Sequence, residues 1–309
     1  MTRSSAAGPI LARRLFGVPA VLLAVAAFWA GAGAQTPAPA DATLHVGLRR
    51  SSYGLRAKNG DHAWWADRAK AFAANFAGAK PTVIEIVSTY QERDGSTEFE
   101  FEREIAGNPP AAGTSFSPGG LDHEKALAEY DAKGVQALLQ FEPGSADVTA
   151  CIDAAWRKFG GHACVIGFGV DAEWFHTKAS AKKEGRPITD AEAKAWMEKV
   201  LALNPRWVLF LKHWDASHMP PTYRHPQLIF ISDSQDFKSR AELMDDFKGW
   251  AKALKGATSG YQFGYPKDRP WWSKMKSPAV ELANGIRAEI PSSRWLFWVD
   301  FTADQIDFR

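Results

Sequence analysis

Apolar runs of strand length alternate with segments of helical periodicity along most of the chain. Eight runs have the length and flanking turn residues of strands. They are predicted at 44–48, 82–88, 135–142, 165–173, 207–212, 228–232, 260–264 and 295–300. Helices are predicted between them at 63–76, 121–133, 147–159, 190–203, 239–254 and 278–290. Two of these helices begin with a capping-box pattern, Thr189 with Glu192 and Ser239 with Glu242.

This alternation favours a parallel sheet, because parallel neighbours need a long crossover connection and a helix supplies it. Eight strand–helix units predict the α/β class and a single (β/α)8 TIM barrel over residues 44–309. An open, doubly wound sheet is the alternative. It is disfavoured because no glycine-rich phosphate-binding turn follows the first predicted strand.

The first 34 residues have the pattern of a secretory signal peptide. Arginines precede an apolar run at 18–29, and the small residues at 32–34 offer a cleavage site. The apolar run is too short and too rich in alanine for a membrane span. A Pro/Ala-rich linker is predicted at 35–43. We therefore expect a secreted or periplasmic protein with no stable membrane insertion after cleavage.

Charge and cysteine content limit the partners and the cross-links. The net charge is +2 and no basic stripe is present, which argues against a nucleic-acid partner. Cys151 and Cys164 are the two cysteines, and export favours a disulfide between them across a short helix. Two buried free thiols are the alternative. We expect a monomer.

The fourth predicted strand holds the most informative residues. Strict alternation places Asp171 and Glu173 on one face of this strand, together with two glycines. The opposite face is apolar, with Ile166, Phe168 and Val170. Glycine is costly inside a strand unless something approaches it closely. The strand's carboxyl end is also where TIM barrels do chemistry, so two acids there predict a site.

Other predicted strands also end in polar or aromatic residues. Together these strand ends predict a substrate-binding rim and a polysaccharide ligand, whose sugar rings stack on flat aromatic side chains. The candidate substrate-binding residues are Glu142, Trp174, Lys212, His213, Trp214, Asp233, Gln235, Gln262, Trp298 and Asp300. Abundant tryptophan and phenylalanine, 13 and 19 residues, agree with this interpretation, although core packing explains most of them.

Two close carboxyl groups cannot both ionise freely, so one pKa rises and the other group stays charged. Glycosidic cleavage needs such a pair. Glu173, with the longer side chain, is predicted as the general acid, and Asp171 as the charged, orienting partner. The seventh strand carries Gln262 where many retaining barrel enzymes have a nucleophilic carboxylate. This favours nucleophilic assistance by the substrate or a nucleophile from elsewhere, such as Asp233.

The stretch Gly-Phe-Gly-Val-Asp-Ala-Glu-Trp at 167–174 resembles the D-x-E motif of chitinase-like family 18 glycoside hydrolases. Family 25 lysozymes carry a similar motif at the same strand. The resemblance implies that Glu173 is the acid/base and that Asp171 steers the substrate's own N-acetyl group. It also places Trp298 where chitinase-like barrels floor the sugar subsite. The family 18 motif has upstream aspartates, where this chain has glycines. Family 25 has an acid on strand one, where this chain has arginines, which indicates a distinct family.

Two other functions remain as alternatives to a polysaccharide hydrolase. A metal-dependent hydrolase would use Glu142, Asp171, Glu173, His213 and Asp233 as ligands. Against it, no paired histidine motif is present, and Lys212 would repel a metal if it points inward. A non-catalytic glycan-binding barrel would use the same acids only as hydrogen-bond acceptors. The preferred interpretation requires no metal and no cofactor.

Overall fold

A computed structural model describes residues 43–103, 110–177 and 184–308. The predicted signal peptide at 1–34 and all but the last residue of the predicted linker lie outside these residues. Ten strands are present: β1 His45–Arg50, β2 Lys80–Gln91, β3 Ser96–Phe99, β4 Thr114–Phe116, β5 Gln136–Phe141, β6 Val165–Asp171, β7 Val208–Lys212, β8 Leu228–Ser232, β9 Thr258–Phe263 and β10 Ser293–Trp298. Seven helices accompany them: α1 His62–Ala73, α2 His123–Lys133, α3 Val148–Phe159, α4 Asp190–Leu203, α5 Arg240–Ala253, α6 Arg269–Trp272 and α7 Pro278–Glu289. No helix in the described part combines the length and apolar character needed to cross a membrane.

Eight of the strands form a closed parallel barrel. The order around it is β1, β2, β5, β6, β7, β8, β9 and β10, and β10 pairs with β1 to close it. The predicted (β/α)8 architecture is therefore confirmed. β3 pairs antiparallel with the long β2, and β4 adds to β3, so these two strands extend the sheet beside the barrel.

The helix starts follow from local capping. The side chain of Thr189 accepts a hydrogen bond from the Glu192 N–H, and Glu192 in turn accepts one from the Thr189 N–H, so the predicted capping box forms. Asp147 and Ser239 cap α3 and α5. These caps satisfy N–H groups that the first helical turn leaves without an intrahelical acceptor.

The barrel interior is filled by apolar side chains below the carboxyl ends of its strands. They belong to Ile84, Leu138, Phe210, Ile229, Ile231, Trp295 and Phe297. Gly169 is required by this packing, because a Cβ atom there would lie 1.9 Å from the Phe210 ring. The sequence predicted that something approaches a glycine of this strand closely. The structure shows that the Phe210 ring of the barrel core does so at Gly169.

Two expectations about strand faces and cross-links are corrected. Pairing between β5 and β6 shifts register after Val165, so Ile166 packs against the barrel interior while Phe168 and Val170 face the helices. Cys151 and Cys164 are both buried free thiols, so the predicted disulfide is absent. Cys164 Sγ instead lies 3.5 Å from the Leu127 carbonyl oxygen, directed at helix α2.

Candidate active site

The ammonium group of Lys212 lies at the centre of three carboxyl groups at the barrel mouth. Lys212 ends β7, and its Nζ lies 2.9 Å from Asp171 Oδ2 at the end of β6. It pairs with Asp233, which directly follows β8, and lies 3.6 Å from Glu173 Oε1. Strand β6 ends at Asp171, so Glu173 lies on a short 3-10 turn, Ala172–Trp174, and not on the strand as predicted. The two acids still converge, because both reach the same lysine.

The three acids differ in exposure. The side chains of Asp171 and Asp233 are 3% and 5% exposed, whereas that of Glu173 is 29% exposed. Lys212 is as buried as the two aspartates. Glu173 is thus the member of the cluster that an incoming ligand can reach directly.

The protonation states follow from burial and from the shared lysine. Burial, followed by repulsion from Asp233, holds the pKa of Glu173 well above its ordinary value. Burial raises the pKa of Asp171 to about 7. For Asp233 burial also acts to raise the pKa, but Lys212 and a hydrogen bond from Glu173 outweigh it and lower the value. These shifts favour a proton on Glu173 and the negative charge on Asp233, whereas the charge was expected on Asp171.

Lys212 cannot act as a nucleophilic amine in this arrangement. Burial alone would lower its pKa, but attraction to Asp171, Asp233 and Glu173 raises it well above the ordinary value. The ammonium form is therefore retained at all moderate pH values. Its role is to hold the carboxyl groups together.

Several buried polar atoms around this cluster have no hydrogen-bond partner in the described part of the chain. They are Gln140 Oε1, Asp171 Oδ1, Asp233 Oδ1 and Gln262 Nε2. The other ends of the two amides are held, since Gln140 Nε2 donates to Asp171 at 3.3 Å and Tyr265 OH donates to Gln262 Oε1 at 3.3 Å. Buried polar atoms are nearly always paired, so these four are places for a ligand or water.

Glu142 lies beside the cluster and is held by two tyrosines. Tyr53 OH donates to Glu142 Oε1 at 2.7 Å, and the Tyr90 N–H donates to Oε2 at 2.9 Å. Burial raises the pKa of Glu142. The ring of Tyr90 also stacks on Trp174 with centroids 4.8 Å apart, which places an aromatic pair one residue from Glu173.

Asp300 is a structural residue of the rim. It pairs with Arg49, whose Nε donates at 3.1 Å, and it accepts from the Ser51 N–H at 2.7 Å and from the Ser51 hydroxyl at 2.5 Å. All three residues are buried. The prediction that Asp300 binds substrate has no support in this geometry, because its oxygens are already occupied.

Trp298 does not line the barrel mouth as predicted. It lies on the outer face of β10, fully buried against Trp272 and Phe263, and its indole N–H donates to Thr302 at 2.9 Å. Neighbouring residues Phe297 and Trp298 are both large and apolar, so the pattern alone could not say which one faces inward. Phe297 does.

The remaining predicted rim residues differ in exposure. Trp214 is 42% exposed, and Gln235 is also exposed. His213 is buried, its Nε2 lies 2.9 Å from the Glu184 carbonyl oxygen, and its Nδ1 accepts from the Asp215 N–H at 2.8 Å. Burial lowers the pKa of His213 to about 4, so it is neutral and both of its ring nitrogens are occupied.

A metal centre built from the five predicted ligands is contradicted by these contacts. Lys212 places a positive charge where a cation would need to lie between Asp171, Asp233 and Glu173. His213 has no free nitrogen to offer. The three carboxyl groups surround the Lys212 ammonium group, and this leaves no place for a divalent metal ion between them.

Tyr53, Tyr90, Tyr265 and Gln140 are site residues that sequence reasoning did not single out as such. Tyr53 and Tyr265 lie beyond the strands, and Tyr90 lies in the extension of β2 past its predicted end. In the sequence, the three tyrosines are marked only by a hydroxyl-bearing ring close to the end of a strand. Many other tyrosines have the same position. Only the three-dimensional arrangement separates them from the others.

Comparison with known proteins gives a likeness of architecture. No family model and no curated protein matches the chain. An endo-1,4-beta-mannanase from Eisenia fetida is similar with a TM-score of 0.42 and 8% identity, over 83% of this chain and 84% of that one. A xylanase-alpha-amylase inhibitor protein, solved with trehalose, has a TM-score of 0.40 and 13% identity, over 86% and 95% of the two chains. Similarity at this level says nothing about activity.

Proposed function

We propose that this protein is an exported glycoside hydrolase that cleaves a polysaccharide, with Glu173 as the general acid. One observation carries the proposal: Glu173 is the most exposed carboxyl group around Lys212, and burial and the charge of Asp233 raise its pKa. A general acid must hold its proton near neutral pH and reach the leaving oxygen. The fixed negative charge of Asp233 then favours the positive charge that develops on the sugar ring.

The substrate class that best fits is an N-acetylated amino-sugar polymer, such as chitin, peptidoglycan or an exopolysaccharide. Glu173 and Asp233 both contact the Lys212 ammonium group, so they converge on one point, whereas the two carboxyl groups of a retaining or an inverting enzyme lie roughly 5–5.5 Å or 6.5–9.5 Å apart on either side of the scissile bond. A nucleophile from the substrate itself removes the need for either separation. Asp171, whose Oδ1 has no partner among the described residues, is suited to orient an acetamido group.

The proposed reaction uses groups already in place. The Glu173 proton passes to the glycosidic oxygen as the bond to C1 breaks, and the acetamido oxygen bonds to C1. Water then opens this cyclic intermediate and returns a proton to Glu173. The stacked pair of Tyr90 and Trp174 beside Glu173 offers a flat surface for a sugar ring.

The test is a panel of amino-sugar and neutral polysaccharides with product analysis by mass spectrometry. We expect N-acetylated polymers to be cleaved and their deacetylated forms to resist. Glu173→Gln should lower the rate of turnover about 10²- to 10⁴-fold, while the matched exposed variant Glu198→Gln should not change it. Glycan affinity without turnover in the wild-type protein would instead identify a non-catalytic glycan-binding barrel.

A further inference from the structure

A second cluster of potential ligand side chains lies at the opposite end of the barrel from Lys212. Asp131 belongs to helix α2, and His162 and Cys164 belong to the segment between α3 and β6. One ligand atom from each residue lies within 4.8 Å of the other two. In residues 43–103, 110–177 and 184–308, these three form the one group of histidine, cysteine or acidic side chains that is spaced to hold a metal ion. The length of β6, about 20 Å, separates it from Asp171.

The imidazole of His162 is held between two carboxyl groups. Its Nδ1 lies 2.6 Å from Asp131 Oδ2, and its Nε2 lies 3.1 Å from Glu124 Oε1. Glu124 lies two turns before Asp131 on α2. Metal-binding histidines usually direct the second ring N–H to a carboxylate, which fixes the ring and its tautomer. Glu124 occupies that position here, so Nδ1 is the nitrogen that faces Asp131 and Cys164.

The backbone positions the other two donors. The Cys164 N–H donates to Asp131 Oδ1 at 2.6 Å, which leaves Oδ2 as the oxygen on the histidine side. One sulfur, one imidazole nitrogen and one carboxylate oxygen form a donor set typical of zinc.

We propose that Asp131 Oδ2, His162 Nδ1 and Cys164 Sγ bind one Zn²⁺ ion, with water as the fourth ligand. Zn–S, Zn–N and Zn–O bonds form, while the Sγ–H bond of Cys164 breaks and its proton goes to solvent. His162 binds through Nδ1 as a neutral imidazole with its proton on Nε2, toward Glu124, so one proton leaves for each ion that binds. The ligand atoms must draw together slightly, because tetrahedral sites have bonds of about 2.0–2.3 Å.

The site has an access route and a structural consequence. His162 lines a cavity of about 720 Å³ at the amino-terminal end of the barrel strands, and Asp131 is exposed, so an ion in solution can approach the cluster. Bound zinc would tie helix α2 to the start of β6. Since the unfolded chain lacks the site, a zinc concentration of 100 times Kd should raise the folding equilibrium constant about 100-fold.

The experiment measures zinc bound to the untagged full chain by equilibrium dialysis, and then absorption of the Co²⁺-loaded protein. We expect one Zn²⁺ per chain and a near-ultraviolet thiolate-to-cobalt band. Cys164→Ser should abolish this band, whereas Cys151→Ser, which replaces the other buried thiol, should retain it. Glu124→Gln should weaken zinc affinity about 10- to 100-fold, the usual effect of losing the group that orients a ligand histidine.

Since replacing a buried cysteine can impair folding, His162→Gln is a second variant, with folding checked by circular dichroism. A folded His162→Gln protein should show no stoichiometric zinc binding. Folded wild-type protein that binds no zinc would overturn the proposal, as would a cobalt–thiolate band that survives in Cys164→Ser. None of these outcomes depends on glycan hydrolysis.

Discussion

Two buried clusters of charge lie at different places on the same barrel, and they are built in opposite ways. At the mouth, one cation, Lys212, faces the three carboxyl groups of Asp171, Asp233 and Glu173. On the outer face, between the barrel and its first helices, Glu85 is a buried acid surrounded by donors, and Glu100 lies 3.7 Å from one of them, His123. The first cluster has too many acids for its cation, and the second has too many donors for its acid.

Both oxygens of the Glu85 carboxyl group are paired, whereas the donors Arg50 Nε and His123 Nε2 have no hydrogen-bond partner in the described part of the chain. Glu85 accepts from Arg50 at 3.3 Å and from Tyr130 at 3.0 Å, and it lies 2.9 Å from His123 Nδ1. Arg50 also donates to the Asn59 carbonyl oxygen at 2.6 Å. Burial acts to raise the pKa of Glu85, but Arg50 and the hydrogen bonds outweigh it and lower the value. A buried acid with all its partners in place is an element of structure.

In the mouth cluster it is the carboxyl oxygens that lack partners, and this difference supports the functional role proposed for it. Burial raises the pKa of both Asp171 and Glu173, and two carboxylate oxygens of the cluster have no partner in the described part of the chain. Perturbed carboxyl groups in an accessible site are typical of acid–base catalysis. Buried carboxyl groups therefore differ in pKa according to the number of hydrogen-bond donors around them: Glu85 has enough donors and its pKa is lowered, whereas Asp171 and Glu173 do not and their pKa values are raised.

The largest expected effect is on catalysis, and it tests the role of the mouth cluster. Glu173→Gln keeps the shape of the side chain but cannot donate a carboxylic proton, so the rate of glycan hydrolysis should fall about 10²- to 10⁴-fold. Stability should change little, because the replaced group is partly exposed and neutral. The measurement is kcat on the N-acetylated polymer that the panel identifies.

Glu198→Gln is the control for this substitution, since Glu198 lies on the surface of α4 beside Lys194. Its rate should equal that of the wild-type protein. If Glu173→Gln retained full activity, the mouth cluster would be no more catalytic than the outer one.

The next effect is on stability, and it belongs to the outer cluster. Glu85→Gln leaves the fully buried Arg50 guanidinium without a counter-ion, which should cost about 3–5 kcal/mol of unfolding free energy. Activity per folded molecule should not change, since Glu85 faces the helices. Urea denaturation of this variant and of Glu129→Gln, a half-exposed acid on α2, provides the measurement. A loss below about 1 kcal/mol would contradict a structural role for Glu85.

The fold could be predicted because its determinants are local. Apolar runs predicted the barrel strands to within a few residues. Helical periodicity and capping residues predicted the helices between them, and the Thr189 capping box formed as expected. The shift of register at Ile166 could not be predicted, because a bulge depends on pairing with β5. β3 was not among the predicted strands, and it pairs with the part of β2 that extends past its predicted end.

The site could be predicted only in part, for the same reason. Asp171, Lys212 and Asp233 were found because parallel strands bring their carboxyl ends to one rim. Trp298 was assigned to the wrong face, because a barrel strand is apolar on both sides and alternation gives no orientation. The charge on Asp233 depends on its distance from Lys212, which no sequence pattern encodes.

A pH titration of stability should separate the two clusters by sign. The pKa of Asp171 rises from 3.8 to about 7 on folding, so the native state binds more protons and its stability falls as pH rises from about 4 to 7. The full rise corresponds to at most about 4 kcal/mol. Glu85 has a lowered pKa, so its contribution is present above about 4.5 and is lost as pH falls below that value.

Urea midpoints at pH 4.5 and pH 8 for the wild type and Asp171→Asn give the measurement. The variant should lose less stability than the wild type as pH rises between these two values. Glu85→Gln serves as the control, because it should leave the loss between pH 4.5 and pH 8 in place. An equal loss in the wild type and Asp171→Asn would mean that Asp171 is already ionised in the native state.

The smallest effect comes from removing one hydroxyl from each region. Tyr130→Phe deletes a hydrogen bond to the ionised Glu85 and should cost about 1.5–3 kcal/mol, the range for bonds to charged groups. Tyr53→Phe deletes a shorter bond, 2.7 Å, but Glu142 has a raised pKa, so the acceptor is closer to neutral. We therefore expect a cost of about 0.5–1.5 kcal/mol. Urea denaturation at pH 6 compares the two variants, and a larger loss for Tyr53→Phe would show that charge on the acceptor, and not bond length, has been misjudged.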